Sequence, residues 1–164
     1  MSHAKNIVAL VVAVLAAGLG YRLVLHTPSE FSQADVAAFE SDATESLVRD
    51  FLKQAGTNQA SVCFLAFGHR LTPPTDRFLG RFVGSEPPIK SLQAHKVSLT
   101  GEIIEAASGR AGVIIQVAKM QKRSEDEMEF EVALSNLPAG GNRFICTMVR
   151  RDGQWRVATR KPYE

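Results

Sequence analysis

The side chains suited to acid–base chemistry are few, and none stands in a recognised motif. His69, Asp76, His95 and Glu102 are the titratable residues that could serve as acid–base groups. An imidazole or carboxylate can take or deliver a proton when its pKa lies near the working pH. His95 falls on an expected strand beside Lys96; turned inward, it would serve as a general base or a pH-sensing group. Asp76 stands two residues after Pro74, where a carboxylate also favours a helix N-terminus through the backbone dipole, so a structural role already explains it. His69 follows Gly68 in an expected loop, and Glu102 reads as a surface position on a strand. His95 and Asp76 are therefore the acid–base candidates, and the sequence names no firm catalytic residue.

The Ser-centred elbow G-x-S-x-G is absent, as are H-E-x-x-H, C-x-x-C, G-x-G-x-x-G and G-x-x-x-x-G-K. Cys63, Cys146, His69 and His95 share no ligand spacing, so neither a metal nor another cofactor is expected. Both cysteines sit inside apolar runs. Two buried thiols are the favoured reading, against a disulfide closing a long loop.

Charge excludes a further class. The net charge of +2 comes from Lys5 and Arg22, because residues 1–25 contain no acid; beyond them the chain holds 17 basic and 17 acidic residues. The pI near 8.7 thus says nothing for nucleic acid. With one Trp and two Tyr, the basic–aromatic interleaving that stacks bases is missing. Residues 30–50 are acidic and residues 142–164 basic, which reads as two solvated surfaces of opposite sign.

Any chemistry must be positioned by elements, and the first is unlike the rest. Residues 7–20, IVALVVAVLAAGLG, carry no charge, and after Tyr21 and Arg22 the apolar character resumes at Leu23–Leu25. As a helix, residues 7–25 reach about 28 Å, enough to cross a bilayer core. Arg22 can snorkel to the headgroups and Tyr21 suits the same interface. The rival is a cleaved signal peptide, with Lys5 as the charged start and Gly18-Leu19-Gly20 as a small-x-small site. Both readings send the remainder across the membrane. The organisation expected is an anchor or signal at 1–26, a linker at 27–31 and one domain at 32–162. The localisation expected is an inner or plasma membrane, single-pass, with the domain outside the cytosol; the alternative is a secreted or periplasmic protein.

The domain reads as α+β. Ser32-Gln33-Ala34-Asp35 opens a helix, and Val36, Phe39, Ala43, Leu47, Phe51 and Ala55 recur at spacings of three and four along it. Gly56 ends it. Ser61–Phe67 is a short apolar strand, and Pro73-Pro74-Thr75 opens a second, short helix carrying Phe78, Leu79, Phe82 and Val83. An antiparallel meander follows: a long or bulged strand Leu92–Glu105, then Gly112–Gln121, Glu127–Leu134, Arg143–Arg151 and Gln154–Lys161. Pro138–Gly141 supplies one turn, and Asp152-Gly153 marks a two-residue hairpin with Trp155 and Val157 together on one face. Val113–Ile115 and Phe144–Cys146 are apolar on both faces. Either a partner covers the second face, or the sheet curls around its own core.

The helix over Val36–Ala55 and the closing RRDGQWRVATRK at Arg150–Lys161 carry a family likeness, helped by SVCFLAFG and TPPTDRFLGRF. In that order of elements the chain resembles the nuclear-transport-factor-two-like, cystatin-like superfamily, over about residues 30–162. The resemblance implies a curved antiparallel sheet wrapped as a cone around a helix, and it says little of activity, because the fold hosts enzymes, scaffolds and binding modules alike. Inner-membrane scaffold subunits of type IV secretion systems are similar in hanging such a domain from one helix. The function expected is a membrane-anchored extracytoplasmic module for protein interaction or assembly, with itself or an envelope protein. The alternative is a small-ligand receptor or isomerase-like enzyme using the cone pocket.

Overall fold

The helix expected over Val36–Ala55 is two helices, α1 (Gln33–Phe39) and α2 (Asp42–Thr57), parted at Glu40 and Ser41. Ser41 makes the break a proper start: its hydroxyl accepts from the Thr44 backbone N–H at 3.2 Å, and Asp42 and Glu45 sit in the first turn, where the dipole favours them. Glu40 is then free to reach elsewhere. In a computed structural model that describes residues 33–57, 60–137 and 140–163, the stripe expected on this helix is kept: Val36, Ala43, Leu47 and Phe51 are buried, joined by Thr44, Val48 and Leu52. Ala55 falls where side chains are not described. The apolar segment 7–25, the linker 27–31 and the turn residues Pro138 and Ala139 also lie outside the described residues. Among those described, no helix is long and apolar enough to cross a membrane.

The second expected helix is a single turn, α3 (Asp76–Leu79), continued by a 3-10 turn at Gly80–Phe82. Thr75 caps it, accepting from the Phe78 N–H at 3.2 Å. Glu40 completes that cap from the other side. Its two carboxylate oxygens accept from the Thr75 N–H at 2.6 Å and the Thr75 hydroxyl at 2.8 Å, so the break between α1 and α2 is pinned to the start of α3.

The sheet is mixed, which corrects the expectation of a wholly antiparallel one. Its strands are β1 (Val62–Phe67), β2 (Ile89–Ser91), β5 (Gly112–Lys122), β6 (Glu127–Leu137), β7 (Gly140–Arg151) and β8 (Gln154–Pro162), in the order β2-β1-β5-β6-β7-β8. Strands β5 to β8 form the expected antiparallel meander. Strand β1 runs parallel to both its neighbours, Val62 opposite Gly112 and Cys63 opposite Ile89. A parallel strand sits inside a sheet covered on both faces, and all six residues of β1 are buried. Bulges at Ala118 and Ala158 add to the curvature.

The long strand expected over Leu92–Glu105 is a second correction. It is a 3-10 turn at Leu92–Ala94 followed by a hairpin of β3 (His95–Val97) and β4 (Ile103–Glu105), a separate two-stranded sheet. Gly101, at φ +82°, takes the left-handed conformation that turns the chain back.

These pieces explain why Val113–Ile115 is apolar on both faces. On the concave side, Leu65, Phe67, Ile115, Val117, Phe130, Val132, Cys146 and Met148 are buried. On the other side, β1 contributes Val62, Phe64 and Ala66 to a smaller core closed by Leu92 and Ile103, and Ile114 packs there too. Gly112 lets that core form, since a Cβ there would stand 2.5 Å from the Phe64 ring. The convex face of β5 to β8 is not apolar. Register aligns Lys119, Glu131, Ile145 and Lys161 in one row and Gln121, Glu129, Thr147 and Thr159 in the next. Trp155 and Val157 are both half-buried, and Asp152 (φ +52°) and Gly153 (φ +75°) make the hairpin turn expected of them.

Candidate functional site

The four residues singled out from the sequence stand on different elements. His69 is exposed in the turn after β1, Asp76 is exposed in the first turn of α3, and Glu102 is exposed at the β3–β4 turn, accepting from the Thr100 hydroxyl at 2.9 Å. His95 opens β3 and is half-buried. Its ring lies against Phe64, centroids 5.8 Å apart, and its Nδ1 bonds the Leu92 carbonyl oxygen. A carbonyl only accepts, so Nδ1 carries the proton and the ring closes the 3-10 turn before it. No two of His69, Asp76 and His95 share an element.

Residue pairing places Glu105 opposite His95, and Glu105 is the carboxylate that the sequence reading missed. It is only 2% exposed. Lys90 from β2 bonds one oxygen, while the Ser108 hydroxyl and the Arg110 guanidinium, 2.9 Å away, hold the other. Hydrogen bonds from Lys90, Ser108 and Arg110 outweigh desolvation and bring its pKa from 4.5 down to about 2. A carboxylate so satisfied stays ionised at neutral pH and is a poor base. It ties β2, β4 and the turn before β5 together. Its signal in the sequence was Arg110 five residues on, but Lys90 comes from a strand that only tertiary pairing brings near.

A second cluster lies on the concave side. Arg160 of β8 is paired with Asp50 of α2 and lies over the Phe51 ring at 4.3 Å, with Phe144 5.7 Å away. Its Nε is buried with no hydrogen-bond partner among the described residues. Strict alternation from Trp155 and Val157 would aim residue 160 outward; the bulge at Ala158 turns it inward. Cys146, opposite it in register, is buried. Desolvation raises its thiol pKa, and the neighbouring Arg160 offsets part of that rise. Cys63 is buried too, and desolvation pushes its thiol up to about 12. The two cysteines stand on β1 and β7, three strand spacings apart, or about 14 Å at 4.8 Å per strand, far beyond the reach of a disulfide. Both are free thiols.

A third cluster forms where α2 meets α3. Arg81 binds Asp42 at 2.9 Å and Glu45 at 3.2 Å and lies over the Phe78 ring, while Arg49 pairs with Glu45 and lies over Phe82. Beside it is a surface cleft of about 230 Å³, lined by Ala37, Glu40, Arg77, Phe78 and Arg81. Among the described residues, no group of three or more metal-ligating side chains comes together.

Comparison with known proteins gives no matching family model, no matching characterised protein and no matching solved structure.

Proposed function

We propose that the chain is a single-pass membrane-anchored protein whose domain, held outside the cytosol, serves as an interaction or assembly module. The anchor rests on residues 7–25, nineteen positions broken only by Tyr21 and Arg22. The observation that carries the module reading is the filled concave face. Phe130, Cys146 and Met148 are buried on that face and Phe51 of α2 is buried as well, while Arg160 with Phe144 fills the end nearest Asp50. Among the described residues, these side chains occupy part of the face where a cone-pocket enzyme or receptor would hold its ligand, which favours the module reading. Such a domain meets its partners through its surface. The likeness to the nuclear-transport-factor-two-like superfamily belongs to the same proposal. The helix on a curved sheet and the closing Asp152-Gly153 hairpin support it, and the parallel β1 counts against it.

The test is fractionation and sedimentation of the full chain. An anchored module stays in the membrane pellet through an alkaline carbonate wash, exposes its domain to protease from the extracytoplasmic side and sediments in detergent as more than one copy or with an envelope protein. A chain washed free by carbonate with its N-terminus intact defeats the anchor. Strictly monomeric sedimentation at high concentration, with nothing retained in cross-linking, defeats the module.

A further inference from the structure

The charges on the convex face of β6 to β8 are sorted by strand. Register sets Glu131, Ile145 and Lys161 side by side in one row, and Glu127, Val149 and Arg156 in another. Between them lie Glu129, Thr147 and Thr159, with the two threonine hydroxyls 3.0 Å apart. In both outer rows a half-buried aliphatic side chain on β7 parts an acid on β6 from an exposed base on β8. A solvated sheet gains most by setting opposite charges directly across from each other. Here acid and base stand two strand spacings apart, about 10 Å, which is beyond ion-pair reach. Among the described residues Glu127, Glu131, Arg156 and Lys161 make no ion pair, and Lys119, beside Glu131 on β5, makes none either. Of the three acids on β6, only Glu129 is paired, with Arg123 at 2.8 Å.

Such a face is complementary to itself in one orientation. Two copies stacked face to face, their sheets about 10 Å apart, can be related by a two-fold axis across the strands or along β7. An axis across the strands sets β6 on β6 and acid on acid. An axis along β7 exchanges left for right and keeps each residue at its height. Glu131 then faces Lys161 of the second copy, Glu127 faces its Arg156, and Ile145 and Val149 meet their own counterparts. Each ion pair forms twice, as an isologous contact requires. Three strands some nine residues long present roughly 14 by 30 Å, so a pair buries on the order of 1,000 Å², the low end for a stable dimer. Copies held in one bilayer by the proposed anchor meet at high effective concentration, which offsets that weakness.

We infer that the domain pairs with a second copy of itself through the convex face of β6 to β8, about a two-fold axis along β7, the acid stripe of each copy lying on the basic stripe of the other. The inference rests on the proposed module role and gives it a partner.

The test is sedimentation of the full chain in detergent over a range of concentrations, with Glu131→Lys, Lys161→Glu and the two combined. Each single change sets like charges face to face at two places and weakens association about tenfold, and the combined change restores opposite signs and recovers it. Thr147→Cys, next to the axis, cross-links one copy to another under mild oxidation. Val83→Cys, 88% exposed on the loop after α3, does not. The native thiols, being buried, do not compete. Dimers indifferent to the single changes, no recovery in the combined variant, or equal cross-linking at position 83 each overturns the contact and leaves the module role standing. A chain that is monomeric yet cross-links to an envelope protein does the same. A chain that stays monomeric and captures nothing sinks the contact and the module together.

Discussion

The Arg160 guanidinium carbon lies 4.3 Å above the centre of the Phe51 ring, and that contact joins the last strand of the sheet to the helix across its concave face. Residues far apart in sequence meet there because the ring supplies an electron-rich face and Asp50, one position away, supplies the counter-charge. The arginine side chain is only 18% exposed, so removing its partner strands a largely desolvated cation. Asp50→Ala is expected to cost about 2 kcal/mol, between the figures for exposed and for buried pairs. Arg160→Met, which keeps the stem on Phe51, should cost less. Urea unfolding followed by Trp155 fluorescence measures both, and an Asp50→Ala midpoint equal to that of the parent protein would show the pair to be idle.

Phe67 is stacked on Phe39 with centroids 5.3 Å apart and meets Phe78 edge-on at 5.7 Å, which makes it the hinge pin for α1 and α3. Phe67→Ala should cost about 3–5 kcal/mol, by lost transfer and by the cavity left behind. The loss should show in thermal unfolding, with Phe39→Ala milder because that side is only half-buried.

Gly112→Ala should destabilise although it adds a single methyl. The new Cβ would stand 2.5 Å from the Phe64 ring and 3.1 Å from Val62, both buried in the second core. An overpacking cost of about 1–3 kcal/mol is expected, and pairing the change with Phe64→Leu should recover part of it. If Gly112→Ala unfolds like the parent, the second core is looser than its packing implies.

Glu105 governs acid stability with a definite sign. Its folded pKa, about 2, lies below the ordinary 4.5, because hydrogen bonds from Lys90, Ser108 and Arg110 favour the ionised form. The folded state is therefore favoured above pH 4.5, and that advantage fades as pH falls from 4.5 toward 2. Glu105→Gln should flatten the pH dependence of unfolding in that window while leaving the slope above it unchanged. Equal slopes for the two proteins between those limits would contradict the assignment.

The thiols offer a simpler readout. With burial pushing Cys63 up to about 12 and Cys146 upward as well, neither should react with an aromatic disulfide reagent at pH 8 in the folded protein. Two thiols should react at once in denaturant without added reductant. Fewer than two would mean that the cysteines had been oxidised.

Local pattern carried the parts that depend on neighbours in sequence. The stripe from Val36 to Phe51, the cap at Thr75 and the Asp152-Gly153 turn each rest on a few consecutive residues whose preferences agree. The break at Ser41 was legible in the same way, since Ser41-Asp42 followed by Glu45 is a helix start, but the continuing apolar spacing across it masked the signal. Nothing local distinguishes a parallel from an antiparallel SVCFLAF. Nor does anything near Glu105 announce Lys90, or anything near Arg160 announce Asp50.

What the sequence alone determined was most of the element types, though not the break at Ser41 or the turns inside Leu92–Glu105, and that one apolar stretch at residues 7–25 stands apart from the rest. Tertiary structure decided direction and facing. Strand β1 lies parallel between β2 and β5, a one-residue bulge at Ala158 turns Arg160 inward, and Glu105 is closed in by donors from two other segments. The reason is physical. Helix and turn preferences are energies of adjacent residues, whereas strand order, register and the burial of a charge are settled only when distant segments compete for the same faces of one sheet.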